Sequence, residues 1–185
     1  MVADMVGTNG NIKAMGRIVI SHWMEQAARL FALAGGAVLI GLVVLTILSV
    51  LGRTINAYGL GPIMGDFELV EHGTAFVVFC ALPLCQIRFG HVAVDVLARH
   101  FSYIISWLLA MVSQLGLLIM AVLISRQLYL GMMDKLNWGE LSFILQLPVW
   151  WGYAAAFPAS LLWVITAALT CWKTALSLPQ RKPLP

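Results

Sequence analysis

Three groups of residues have side chains capable of chemistry at short spacing. His91, Asp95 and Arg99 recur every four residues; Asp66, Glu68, Glu71 and His72 fall within seven positions; Cys80 and Cys85 are five apart. Residues four apart share one face of a helix, so the first group reads as a polar stripe. In it Asp95 can pair with Arg99, worth roughly 0.2–0.5 kcal/mol if exposed. His91 follows Gly90, where a helix would start, and suits a capping or structural role. As a haem or metal ligand it would need a second ligand at matching depth. The Cys-x4-Cys spacing is neither a redox Cys-x-x-Cys nor a zinc pattern. With Cys171, these cysteines read as small apolar helix residues. Glu68 and Glu71 are three apart, on one helix face, and repel unless a cation is near. Arg53 can supply that cation across the intervening loop, or it can extend to lipid headgroups. Arg126 can snorkel in the same way.

The elements that hold these residues follow from composition. The chain has 185 residues, of which 61% are hydrophobic and only 10% charged, with mean hydropathy +0.91. A soluble domain carries about 25% charged residues. So much apolar surface is hard to bury in a chain of this length without lipid as solvent. The expected fold class is an all-α membrane protein. The net charge of +3 comes without a basic run, which argues against a nucleic-acid partner.

Four segments have the length and composition of membrane spans: 30–51, 67–87, 103–125 and 149–172. Residues 1–29 are mixed. Within them 12–29 can form an amphipathic helix on the membrane surface, with Lys13, Arg17 and Arg29 toward lipid phosphates. A cleaved signal peptide does not fit, because the apolar run starts only after Arg29 and no small-x-small site is clear. Gly35, Gly36 and Gly41 give span one a smooth strip for a neighbouring helix. Asp66 suits the N-cap of span two, whose acids sit where the helix dipole favours negative charge. Arg126 and Gln127 mark the far end of span three, followed by a loop over 132–142. Span four is expected to kink at Pro158. Trp150, Trp151 and Trp172 suit the two interfacial belts.

Between spans two and three, residues 91–101 are too few to cross. Eleven helical residues reach about 16 Å, against a bilayer core of about 30 Å. This arm helix would lie at the interface or against another protein. The domain plan is therefore an N-terminal cytoplasmic or interfacial segment at 1–29 and a four-helix membrane domain at 30–175. The arm lies within that domain at about 91–101, and a cytoplasmic tail follows at 176–185. With the N-terminus inside, Lys13, Arg17, Arg29, Arg88, Arg99, Lys173, Arg181 and Lys182 face the cytoplasm; Arg53, Arg126 and Lys135 face out. That bias places both termini in the cytoplasm.

None of the four histidines, His22, His72, His91 and His100, lies mid-span. Haem-binding four-helix bundles need histidines facing one another inside the bundle. No span has a charge at its centre, and Gln114 is the main mid-helix polar residue. A charged-substrate transporter needs polar or broken helices at the midplane. The residues thus describe a membrane scaffold or accessory subunit better than a conduit.

Three motifs then bring a family into view. Span one ends on Val50, Leu51, Gly52 and Arg53, and acids open span two after a glycine- and proline-containing loop. Arg88, Phe89, Gly90, His91, Val92, Ala93, Val94 and Asp95 are similar to a Gly-x-His-x-x-x-Asp turn with one residue fewer between glycine and histidine. Leu147, Pro148, Val149 and Trp150 are similar to a Leu-Pro-x-Trp opening of the last span. In this order the chain resembles the small membrane subunit, the DctQ-type or Q component, of tripartite ATP-independent periplasmic (TRAP) transporters. Glu68 fits the family's acidic position, with Glu71 as the alternative.

The resemblance implies a non-enzymatic subunit of the bacterial inner membrane, without a cofactor. Its partners would be a large multi-span permease subunit (the M component) and a periplasmic substrate-binding protein. The large subunit would carry an organic acid with sodium, and the small one would be its scaffold. Only contact roles carry over. His91, Asp95, Leu97, Arg99 and Phe101 would be partner contacts on the arm. Arg53, Glu68 and Glu71 would be outer-end scaffold or docking residues. Two other classes stay open: a haem- or thiol-based four-helix redox protein, and a self-assembling structural membrane protein.

Overall fold

The computed structural model describes residues 3–55, 63–88 and 103–176. Within them the chain is helical: α1 (Ala3–Thr54), α2 (Asp66–Ile87), α3 (Tyr103–Trp138) and α4 (Trp150–Leu176). Each contains a stretch long and apolar enough to cross a membrane, at Trp23–Thr54, Asp66–Ile87, Trp107–Trp138 and Trp150–Leu176. The arm expected over 91–101 lies outside the described residues, and so does most of the tail.

α2 and α4 form the middle of the molecule. α1 packs along α2, α3 packs along α4, and α1 barely reaches α4. Small residues explain why α4 can be central. Ala156, Ala159, Ser160 and Ala167 are buried on it, and Ala121 is buried on α3. Small side chains let backbones approach where lipid supplies no hydrophobic drive between helices. Trp163 fills the resulting core with Ala121 and Ala167, bordered by Leu82, Leu118, Ile124 and Val164.

Polar side chains tie the layers together. Gln86, buried at the end of α2, donates to Gln114 Oε1 and to Thr170 Oγ1, both at 2.9 Å. Gln114 thus belongs to a buried three-helix cluster. Ser125 donates to the Ser160 carbonyl at 3.3 Å, and Trp107 Nε1 to the Thr174 carbonyl at 3.2 Å.

Several boundaries differ from those read in the sequence. α1 is one helix from Ala3, continuous through the start of the apolar run. α3 passes Arg126 without a break and continues to Trp138, so the loop expected over 132–142 is largely helix. The cause is the stop signal. Arg126 and Gln127 are good helix formers, whereas Gly139 takes φ +60° and ends the helix. Its N–H reaches the Leu136 carbonyl and the Glu140 N–H the Lys135 carbonyl, the two bonds of a Schellman turn. Pro158 lies inside α4 without ending it, and so does the fully buried Pro83 in α2, which the sequence reading passed over. Of the glycine strip, Gly35 alone sits in a tight contact: a Cβ there would meet Cys80 Cβ at 2.8 Å, while nothing lies within 4 Å of one at Gly36 or Gly41.

Candidate functional site at the α1–α2 turn

The polar residues of the sequence converge where α1 ends and α2 begins. Gly65 makes the entry to α2 with φ +82°, a conformation L side chains rarely adopt. A Cβ at Gly65 would also lie 2.4 Å from Leu145 Cγ. Asp66 is therefore the first helical residue and not the N-cap, a position Gly65 takes without a side-chain bond. The Asp66 carboxylate accepts from its neighbour's N–H at Phe67 (2.9 Å) and from the buried Ser49 hydroxyl (2.5 Å).

Arg53 comes one turn after Ser49 and reaches the same carboxylate at 4.0 Å, with its guanidinium 5.8 Å from the Phe67 ring centre. Its acid partner is thus Asp66, not Glu68 or Glu71. Ser49 and Arg53 share one face of α1, and α2 starts directly opposite that face.

Glu68 has a different role. Its two oxygens accept the backbone N–H groups of Ile144 (2.8 Å) and Leu145 (3.0 Å), 76 and 77 residues further on. Those donors sit at the tip of the α3–α4 loop. The loop itself is narrow: Ser142 N–H donates to the Leu147 carbonyl and Val149 N–H to the Glu140 carbonyl. Gln146 turns it with φ +53°. Turned-back loops leave N–H groups unpaired, and a carboxylate satisfies two of them at once. Glu68 is a strut between α2 and the loop. The sequence reading missed this, because backbone donors have no side-chain signature.

His72, one turn below, binds the Glu68 carbonyl through Nδ1 at 2.8 Å. Its ring lies against Gly152 of α4; a Cβ there would be 2.3 Å from His72 Cδ2. Glu68 and His72, with Ser142, form the polar end of an apolar groove of about 640 Å³. Its walls come from α1 (Leu42, Leu45), α2 (Phe76) and the start of α4 (Trp151). Glu71 is exposed and borders a smaller cavity of about 190 Å³ with His72 and Tyr153. The loop and the end of α3 present apolar side chains outward: Phe143 is 96% exposed and Trp138, the last residue of α3, 80%. The other predicted site residues, His91, Asp95, Leu97, Arg99 and Phe101, lie outside the described residues.

This end of the molecule is a brace. The carboxylates of Asp66 and Glu68 are engaged in holding α1, α2 and the α3–α4 loop together. Among the described residues no cluster of three or more His, Cys, Asp or Glu could hold a metal. Cys80 and Cys85 are unpaired thiols, and Cys80 is wholly buried against Gly35.

Four spanning-length helices braced in this way define a multi-pass membrane protein whose built features are contacts between segments. The chain belongs to the DctQ component family of tripartite ATP-independent periplasmic transporters, whose family profile matches residues 42–176. No curated protein matches the chain. The match begins within α1 and ends with α4, so it covers the brace, the α3–α4 loop and most of the groove. It makes the chain a transporter component, the small membrane subunit, as the three motifs implied.

Proposed function

We propose that this subunit serves as the scaffold of a sodium-driven secondary transporter in the bacterial inner membrane. It would bind one large permease subunit that carries an organic acid delivered by a periplasmic binding protein. The observation that supports this reading best is the family match across α2, α3 and α4. The distribution of burial supports the scaffold role. Only 6% of the spanning window of α1 is buried within the chain, against 39% for α4. A helix apolar on nearly all sides, with one face covered, needs lipid or another protein on the rest.

In this reading both termini are cytoplasmic, and the α1–α2 turn and α3–α4 loop face outward. Arg53, Glu68 and Glu71 belong to that outer end. Arg53 and Glu68 keep its two turns in register, and Glu71 is free to meet the binding protein. The arm over 91–101, with His91, Asp95, Leu97, Arg99 and Phe101, grips the large subunit. Asp95→Lys or Phe101→Asp is expected to reduce co-purification with the large subunit and uptake together. Unchanged co-purification and uptake would refute the arm's role.

A further inference from the structure

At the end of the molecule opposite the brace, α1 and α2 border a third cavity, open to the surroundings, of about 300 Å³. It is lined by Arg29, Ala32, Leu33, Leu84 and Arg88. The spacing accounts for its construction. Arg29, Ala32 and Leu33 are at i, i+3 and i+4 on α1, and Leu84 and Arg88 are at i and i+4 around the end of α2. Each set lies on one helix face. The two faces oppose each other, and the small Ala32 leaves the room between them.

Two guanidinium groups therefore border one apolar-floored cavity. Arg29 is bonded to Glu25 at 2.6 Å on its own helix. That exposed pair uses one of its amino groups and leaves further N–H donors. Among the described residues Arg88 has no ion-pair partner and no carboxylate lines the cavity. Like charges sharing a cavity repel unless an anion lies between them.

The depth of the cavity indicates the class of anion. Arg29 stands at the start of the chargeless stretch of α1, and Arg88 directly follows the last residue of α2. Trp23, 69% exposed, lies about 9 Å before Arg29 along the helix axis. Trp172, 61% exposed, lies near the end of α4, two residues beyond the Thr170 that bonds Gln86 at this same end. Exposed tryptophans of this kind sit at the membrane–water interface. Leu33 and Leu84 continue from the arginines into the apolar part of the helices. A cationic mouth over an apolar floor at that depth matches a lipid phosphate with its acyl chains below.

We propose that Arg29 and Arg88 together bind the phosphate of an anionic phospholipid, seated between α1 and α2. Arginine suits this task because its planar fork gives two parallel bonds to phosphate oxygens. The site depends on the membrane character of the helices and not on the transport reading.

The test uses the full-length chain, delipidated in mild detergent and titrated with phosphatidylglycerol, with lipid adducts counted by native mass spectrometry. Wild type should bind one phosphatidylglycerol in preference to phosphatidylcholine. Arg29→Gln and Arg88→Gln should each weaken that adduct, and the double variant should weaken it about tenfold or more. Arg88→Lys should fall between wild type and Arg88→Gln, since it keeps charge but loses the fork. Arg126→Gln, on an exposed part of α3, should bind as wild type does. Both arginines are exposed, so the single variants should elute as folded protein and report binding directly. Equal phosphatidylglycerol binding by wild type and both single variants would overturn the proposal. So would equal binding of phosphatidylcholine, or full displacement of the lipid by inorganic phosphate at equal concentration.

Discussion

A carboxylate that accepts two consecutive backbone N–H groups fixes both the distance and the orientation of the segment that carries them. Glu68 does this for the α3–α4 loop. Glu68→Ala should therefore release the loop while leaving the helices formed. Amide hydrogen exchange at Ile144 and Leu145 should quicken by roughly tenfold or more, and Glu68→Gln, which keeps one acceptor oxygen, should give a smaller change. Gly65 carries a second residue-scale prediction. A side chain there meets both a left-handed backbone and Leu145, so Gly65→Ala should destabilise by more than about 1 kcal/mol in a thermal or denaturant melt. At this scale the sequence was informative about residue types and poor on partners. The acids opening α2 and Arg53 stood out as a cluster because charges are rare in this chain. Which acid met Arg53 depended on the first residue of α2, and Gly65 moved that start so that Asp66 faced Ser49 and Arg53. The bond from Glu68 to the loop was invisible, since its donors are peptide groups more than seventy positions away.

The helices themselves were legible for a simple reason. Three of the spans are runs of more than twenty residues without a charge and the second has sixteen after Glu71, and a run of that length and composition crosses lipid as a helix. Their ends were less legible, because helix continues beyond the bilayer wherever good helix formers follow. α3 ran on to Gly139 on that account. Packing between helices separates glycines that look alike in sequence. Gly35→Ala should push α1 off Cys80 and cost about 1–3 kcal/mol. Gly36→Ala, with open space around it, should be neutral or should stabilise by up to about 1 kcal/mol. Equal effects in a thermal melt would contradict the observed α1–α2 contact. The buried cluster of Gln86, Gln114 and Thr170 is an inter-helix tie of ordinary membrane strength. A double-mutant cycle between Gln86→Leu and Gln114→Leu should give a coupling near 0.6 kcal/mol.

The whole molecule is a row of helices with a braced turn at one end and two arginines at the other. α2 and α4 hold it together, while α1 and α3 turn much of their apolar surface outward. Such a shape has a large perimeter to share with lipid or a larger subunit. The same arrangement fixes which segments emerge together. The proposed orientation puts the α3–α4 loop outside. Phe143→Cys, at an almost fully exposed position of that loop, should therefore react with a membrane-impermeant maleimide from the periplasmic side of intact cells. Labelling only after the inner membrane is opened would reverse the topology. The central claim, a scaffold that binds a larger permease subunit, is tested most directly by purifying the tagged chain from its native membranes in mild detergent. The co-purifying proteins are then identified by mass. The account predicts one membrane protein of many more spans in equal amount with this chain. Recovery of the chain alone, or only with copies of itself, would contradict it.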